Sequence, residues 1–355
     1  MRRRRGTPVR RRGLAYNQNL LPPKAAVVVP TLNAGEPLKE CLRSLERQSF
    51  QDFEVIVVDN SGCGRAKQTV PVDKVRLVDN PRNLGFGAAV NQALRMTHGA
   101  YVAVLNDDAV AWPGWLGELV RVLEAHPEAG MCASQIRLAG TEWLDSAGML
   151  LCADGSSKQR GRLQPPERFS GEEEVLFPSG CAALYRRAML EQIGGFDESF
   201  FLYSEDTDLG LRARWAGWRC LYAPNAVVEH RYSQTAGEAS PLKAYYVERN
   251  RLYVVVKNFP GRALAAVPWA ALARYFWHAA AMRSGRGAAA RFRQEGQGGW
   301  RLPYYVLRAH LALVPALPRL LRARRRIRRS ARITSREFRA LMKRHSIRPR
   351  EVALQ

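Results

Sequence analysis

The sequence predicts an α/β fold over about residues 25–250: an open, mixed but mostly parallel sheet with helices on both faces. A helical, aromatic-rich extension is expected over 251–355. Two observations carry this reading. Short unbroken apolar runs alternate with amphipathic helical stripes, as doubly covered strands and their crossover helices require. The strong basic excess is confined to the two ends, which leaves an ordinary globule between them.

Residues 1–24 form a basic arm punctuated by Pro22-Pro23 and read as flexible. Ala25–Pro30 is a continuous apolar run and the first strand. Pro37–Gln48 sets Leu38, Cys41, Leu42 and Leu45 on one helical stripe. Glu54–Val58 and Val75–Val78 supply the second and third strands. Phe86–Met96 spaces Phe86, Ala89, Val90, Ala93 and Leu94 as a helix, and Tyr101–Leu105 is the fourth strand. A helix from Pro113 turns Leu116, Leu119, Val120 and Leu123 inward. After about Met131 the rhythm loosens. Strand-like pieces at Glu174–Phe177, Ala182–Tyr185, Arg219–Tyr222 and Ala226–Glu229 surround helices at about Arg186–Ile193 and Ser204–Ala216. Past Arg251, the apolar stretches Ala263–Met282 and Leu302–Leu321 are broken by Pro268, Arg274, Arg308, Pro315 and Pro318. No uninterrupted apolar run reaches the roughly 18 residues of a membrane span.

The formal charge of +23 is unevenly spread. Residues 1–24 hold eight basic and no acidic residues, and 261–355 hold 22 basic against three acidic, so 25–260 carries a net −4. Runs such as Arg324-Arg325-Arg326 seek an anionic partner, either nucleic acid or anionic lipid. The six cysteines (Cys41, Cys63, Cys132, Cys152, Cys181, Cys220) are scattered without a Cys-x-x-Cys pair. Neither a zinc site nor a disulfide framework is indicated, and a reducing compartment fits. The arginine-rich start is not followed by a continuous apolar stretch, so a signal peptide is not expected.

Ligands of open α/β sheets sit beyond the carboxyl ends of the strands. Those ends are polar here: Pro30-Thr31-Leu32-Asn33, Asp59-Asn60-Ser61 and Asn106-Asp107-Asp108. Together they suit the reading of a nucleobase and ribose and the holding of a divalent cation. Asp59 is a candidate acceptor for a pyrimidine imide, and Asp108 is a hard oxygen ligand for Mg²⁺ or Mn²⁺. Asp and Asn also end strands because they make turns and caps, so a structural role stands beside the functional one. Asn83 with Gly85-x-Gly87 opens the Phe86 helix, either as a plain cap or with its N–H groups facing a phosphate. In Phe200-Phe201-Leu202-Tyr203-Ser204-Glu205-Asp206-Thr207-Asp208, three carboxylates open a helix that Ser204 would cap. The aromatic surroundings (Phe196, Phe200, Phe201, Tyr203) would raise a carboxylate's pKa and ready it as a general base.

These stretches occur together and in order: Val-Val-Pro-Thr-Leu-Asn (28–33), Val-Asp-Asn-Ser (58–61), Asn-Leu-Gly-Phe-Gly (83–87), Leu-Asn-Asp-Asp (105–108), Gly-Gly-Phe-Asp-Glu-x-Phe-Phe (194–201), Glu-Asp-x-Asp-Leu-x-x-Arg (205–212) and His230. The set, spanning about 25–260, resembles the family 2 glycosyltransferases, and within them the bacterial rhamnosyltransferase-type enzymes of cell-surface polysaccharide synthesis. The resemblance implies a GT-A fold and inversion at the anomeric carbon. It implies nucleotide-sugar contacts at Pro30, Thr31, Asn33, Asp59, Asn83, Gly85, Asn106 and Asp107, and a Mg²⁺ or Mn²⁺ site at Asp108 and His230. Asp206 would be the base with Glu205 beside it, and Gly180, Cys181 and Asp208 would lie on the acceptor side. Asn106 replaces the first acid of the family's Asp-x-Asp element. A lone histidine after a strand is otherwise a satisfied polar residue, and both readings of His230 stand.

The implied partners are a TDP- or UDP-sugar, a glycan or polyprenyl-linked acceptor, and an anionic membrane surface. Arginine interleaved with Trp269, Tyr275, Trp277, Tyr304 and Tyr305 suits interfacial helices on the cytoplasmic face of the cell membrane. A nucleic-acid binder is the rival suggested by charge, but no zinc-finger, RNP-type or homeodomain-like motif accompanies it. A non-catalytic glycan or nucleotide-sugar binder is opposed by the intact Asp108 and Asp206.

Overall fold

The computed structural model describes residues 22–71, 75–231, 240–285, 287, 292 and 301–354. The expected basic arm lies, up to residue 21, outside the described residues. The opening apolar run becomes β1 (Ala25–Thr31), which pairs in parallel with β2 (Phe53–Asp59) and β4 (Tyr101–Leu105). β3 (Arg76–Asp79) extends the parallel edge. Helices α1 (Gly35–Glu46) and α3 (Trp115–Ala125) bury the stripes expected of them, and α2 (Phe86–Met96) buries Ala89, Val90 and Ala93 with Phe86 and Leu94 partly covered.

The remaining strands are β5 (Ala109–Ala111), β6 (Ala129–Leu138), β7 (Leu144–Ser146), β8 (Met149–Cys152), β9 (Ser157–Gln159), β10 (Glu173–Glu174), β11 (Ala182–Arg186), β12 (Arg219–His230) and β13 (Ser346–Ile347). Among the described residues the main sheet has ten strands, ordered β10-β12-β6-β11-β4-β1-β2-β3, with β5 on β12 and β7 on β6. β11 runs antiparallel to both β4 and β6, which makes the sheet mixed. A small sheet, β13-β8-β9, joins the C-terminal region to the core.

The structure departs from expectation at three strands. β6 was not anticipated: its ten residues are mostly buried, but Gly130, Cys132, Ser134 and Gln135 dilute the β-branched signal. The pieces at 219–222 and 226–229 are one strand, interrupted by a register shift between Ala223 and Val227. Of 174–177, Glu174 alone lies in a strand, and Val175–Phe177 is buried packing.

Helices α4 (Arg187–Ile193) and α5 (Glu205–Trp215) lead to α6 (Pro241–Asn258), which runs across position 250. Beyond it lie α7 (Gly261–Leu264), α8 (Val267–Arg283) and α9 (Leu302–Arg329), then helices Ser335–Arg344 and Pro349–Leu354. This extension is fastened to the core. The Phe338 ring stacks on buried Trp215 with centroids 4.0 Å apart, and Arg328 covers that ring from 3.4 Å. Among the described residues no helix is long and apolar enough to cross a membrane. α8 and α9 contain no acidic residue, and both leave large apolar side chains in solvent.

Candidate active site

The carboxyl ends of β1 and β4 open into a cavity of about 1290 Å³. Pro30, Thr31, Asn83, Gly85, Asn106, Asp107, Asp108, Gly180, Cys181, Glu205, Asp206 and His230 all line it. Parallel pairing sets Thr31 and Asp107 at one depth. The Thr31 hydroxyl donates to Asp107 Oδ2 at 2.5 Å and accepts from the Ala34 N–H at 2.9 Å. Burial, opposed by the Thr31 bond and aided by the Asp108 charge, pushes the Asp107 carboxyl up to about 6.

His230 reaches Asp108 through strand register. Antiparallel pairing sets His230 opposite Ala109, and the Arg231 N–H donates to the Asp108 carbonyl at 3.0 Å. Asp108 Oδ1 lies 3.3 Å from His230 Nε2, yet it is buried and accepts no hydrogen bond. The other ring nitrogen, Nδ1, is 3.0 Å from Asp145 Oδ2, and Asp145 is itself paired with Arg162. Burial lowers the imidazole pKa, but the Cys181 thiol and the two carboxylates together hold it well above its ordinary value. An orphaned carboxylate oxygen beside an imidazole nitrogen, with a carboxylate behind the ring, is a donor set that fits a divalent cation. Among the described residues no group of three or more His, Cys, Asp or Glu side chains is placed to hold a metal ion. Asp145 was invisible in the sequence, 85 residues from its partner and on a three-residue strand.

Across the cavity, α5 opens with Glu205 and Asp206. The Gly180 N–H donates to Asp206 Oδ2 at 3.0 Å and the Thr207 N–H to Oδ1 at 2.6 Å. A β-carbon at Gly180 would stand 3.5 Å from Asp206 Oδ2, an ordinary contact, so space alone does not demand glycine there. Glu205 Oε2 is buried without a hydrogen-bond partner. Burial raises both pKa values, and the Asp206 charge raises Glu205 further.

The segment before these carboxylates is strained. Phe201, Tyr203 and Ser204 hold φ values of 64°, 70° and 64°, rare for side-chain-bearing residues. Ser204 occupies the cap position but its side chain caps nothing, contrary to expectation. α6 holds the segment instead. Asn250 Nδ2 donates to the carbonyls of Phe200, Leu202 and Tyr203 at 2.9, 2.8 and 2.7 Å. Arg249 donates to the carbonyls of Ser199 and Phe200 and, through Nε, to Asn250 Oδ1. The sequence signal was the polar run Glu248-Arg249-Asn250-Arg251 inside an apolar helix, which was not singled out.

Three candidates stand apart from the cavity. Asp59 is fully buried, and its oxygens accept the N–H groups of Ser61 and Ala66, so it shapes its own loop rather than facing a base. Asn33 is exposed and accepts from Arg65. Asp208 points into the core between Arg212, Lys257 and Asn258, and Arg212 in turn ties down the carbonyls of Ile193, Gly194 and Gly195. It is therefore a structural anchor and not an acceptor-side group. At the α2 N-terminus one of the first-turn donors is already taken. The Phe86 N–H donates to the Phe201 carbonyl, and a β-carbon on Gly85 would meet that oxygen at 2.4 Å.

The family profile described as "Glycosyl transferase family 2" matches residues 26–194. The "N-acetylglucosaminyl-diphospho-decaprenol L-rhamnosyltransferase" of Mycobacterium tuberculosis is 31% identical over 252 residues, 62% of this chain and 80% of that protein. The chain belongs to glycosyltransferase family 2. Another relative of this glycosyltransferase is the "O-antigen biosynthesis protein RfbC" of Myxococcus xanthus, 29% identical over 243 residues. That match covers 63% of this chain but 19% of the far longer relative. A solved structure of GalNAc-T7 with UDP, GalNAc and Mn²⁺ superposes with a TM-score of 0.57 at 15% identity, over 71% of this chain and 50% of that one. The fold is GT-A with a C-terminal helical extension.

Proposed function

We propose that this glycosyltransferase moves a sugar, rhamnose first, from a TDP- or UDP-sugar to a lipid-linked glycan, with inversion. The observation that carries this reading is a single cavity holding the Asp107–Asp108–His230 cluster and the Glu205–Asp206 pair. The rhamnosyltransferase relative, whose name specifies an N-acetylglucosaminyl diphosphate lipid, supplies the substrate class.

Asp108 and His230 would hold Mg²⁺ or Mn²⁺, which when bound offsets charge on the departing nucleoside diphosphate. Thr31 and Asp107 lie at the donor end and orient the nucleotide-sugar with Asn83 and Asn106. Asp206 takes the proton from the acceptor hydroxyl as that oxygen attacks the anomeric carbon from the opposite face. Its two backbone hydrogen bonds fix the carboxylate's direction, and burial makes it basic enough to accept a proton. Burial raises both carboxylates and the Asp206 charge raises Glu205 further, so the pair would hold one proton between them and carry one negative charge. The exposed apolar faces of α8 and α9, with their arginines, would rest on the anionic cytoplasmic face of the cell membrane.

Calorimetric titration with UDP and TDP, with and without Mn²⁺ or Mg²⁺, tests the donor half. The cation should tighten binding, and Asp108→Ala should abolish that gain; no gain in the wild type defeats the cation reading. Asp206→Asn should preserve nucleotide affinity while transfer falls about 10²–10⁴-fold.

A further inference from the structure

The cavity is larger than a nucleotide-sugar site needs, and its outer wall is of another kind. α6 contributes Leu242 and Val247, α8 contributes Ala279 and Met282, and α9 contributes Val306 and Leu307. Two arginines of this wall are paired with carboxylates, and Lys158 and Lys243 also line the cavity. Arg274 Nε lies 2.5 Å from Asp154 Oδ2 and its Nη2 lies 2.6 Å from Glu248 Oε2, while Arg251 pairs with Glu248 and lies 3.8 Å from Asp154. Three of the apolar wall residues are also open to solvent: Leu242 is 46% exposed, Val247 37% and Leu307 59%. The apolar lining is therefore continuous with the outside, where Trp269, Leu272 and Phe276 of α8 and Tyr304, Leu311 and Val314 of α9 stand exposed.

We propose that this outer half receives the hydrocarbon chain of a prenyl-type lipid acceptor, entering between α6, α8 and α9 while its head group lies toward Asp206. The inference rests on the lipid-linked acceptor proposed above and adds the place where the lipid sits. Three observations favour a prenyl chain over other occupants. The groove belongs to the same cavity as the reacting carboxylates, so its occupant must be able to present a hydroxyl there. The side chains that α6, α8 and α9 present there are apolar and the two wall arginines are paired, which suits a hydrocarbon and offers little to a polysaccharide. The two flanking helices carry arginine and no acidic residue, so the rim suits an anionic lipid environment.

The test uses the full chain saturated with TDP and two prenyl diphosphates below their micelle concentrations, dimethylallyl (C5) and geranylgeranyl (C20). Affinity for each is read by titration. The longer chain should bind at least about 100-fold tighter, because several additional carbons leave water. Leu242→Ser with Leu307→Ser should lose about 10-fold of the C20 affinity and leave C5 unchanged. A second variant, Phe276→Glu with Leu311→Glu, alters exposed residues that do not line the cavity and should leave both affinities intact. Equal binding of the two diphosphates overturns the proposal. So does loss of C20 affinity in the Phe276/Leu311 variant alone, which would put the chain on the outer surface. Transfer to an N-acetylglucosaminyl diphosphate lipid is measured separately. Chain-length discrimination without transfer supports the groove and removes the acceptor sugar, whereas transfer with equal prenyl affinities removes the groove and keeps the acceptor.

Discussion

Asn250→Ala should cost more in turnover than in stability. Its amide faces three carbonyls, one buried and two partly buried, and with two N–H groups it satisfies two of them well at any moment. Losing those bonds without replacement costs roughly 2–4 kcal/mol. For a chain of this size that lowers Tm by about 3–5 °C, which leaves the protein folded at assay temperature. The same amide holds three residues at positive φ, each storing on the order of 1–3 kcal/mol. Arg249 still holds the Ser199 and Phe200 carbonyls, but the Leu202 and Tyr203 carbonyls lose the bonds that Asn250 gives them. Glu205 and Asp206 follow directly in the chain, and a displacement near 1 Å costs about 10²-fold in rate. Melting by calorimetry and transfer kcat well below the melting transition are the two readouts. A variant that melts lower but keeps kcat within about twofold would refute the link between the strained segment and the carboxylates.

Because burial raises the Glu205 and Asp206 pKa values, and a raised carboxylate stays protonated to higher pH, transfer should fail on the acid side above the ordinary carboxylate range. Glu205→Gln fixes the neighbour of Asp206 in a neutral form, so the acid limb of the kcat–pH profile should stay in place; a limb that moves to lower pH would show that charge on Glu205 opposes ionisation of Asp206. Asp145→Asn should weaken Mn²⁺ affinity about 10–100-fold, read as the Mn²⁺ concentration that half-saturates the gain in UDP binding, and an unchanged midpoint would separate Asp145 from the cation. Phe276→Glu with Leu311→Glu should release the full chain from anionic vesicles at an unchanged Tm, and undiminished flotation would locate membrane contact elsewhere. Removing everything after residue 260 is the weaker test of that contact, because it would uncover the buried Trp215 ring beneath Phe338 and Arg328.

The sequence by itself determined the first half of the fold and twelve of the residues that line the cavity. Val27, Val28 and Val29, the stripe Leu38–Leu45 and the run Tyr101–Leu105 have periodicities that one local conformation satisfies, and parallel strands buried on both faces advertise themselves as unbroken apolar runs. The strand ends Thr31 and Asn106–Asp108 and the acidic opening of α5 were legible for a similar reason, since the carboxyl edge of such a sheet is where polar residues are free to serve a ligand. Tertiary structure alone decided what each carboxylate is for. Asp206 and Asp208 are two residues apart on one helix, so the turn of about 200° between them sends one to the cavity and the other to Arg212 and Lys257 in the core. Asp59 looked as available as Asp108, yet the chain after β2 folds back and spends both its oxygens on backbone N–H groups. His230 meets Asp108 through the register of β5 on β12, and Asn250 meets the carbonyls before Glu205 through the packing of α6. Such pairings depend on where distant segments pack, and no local periodicity encodes that.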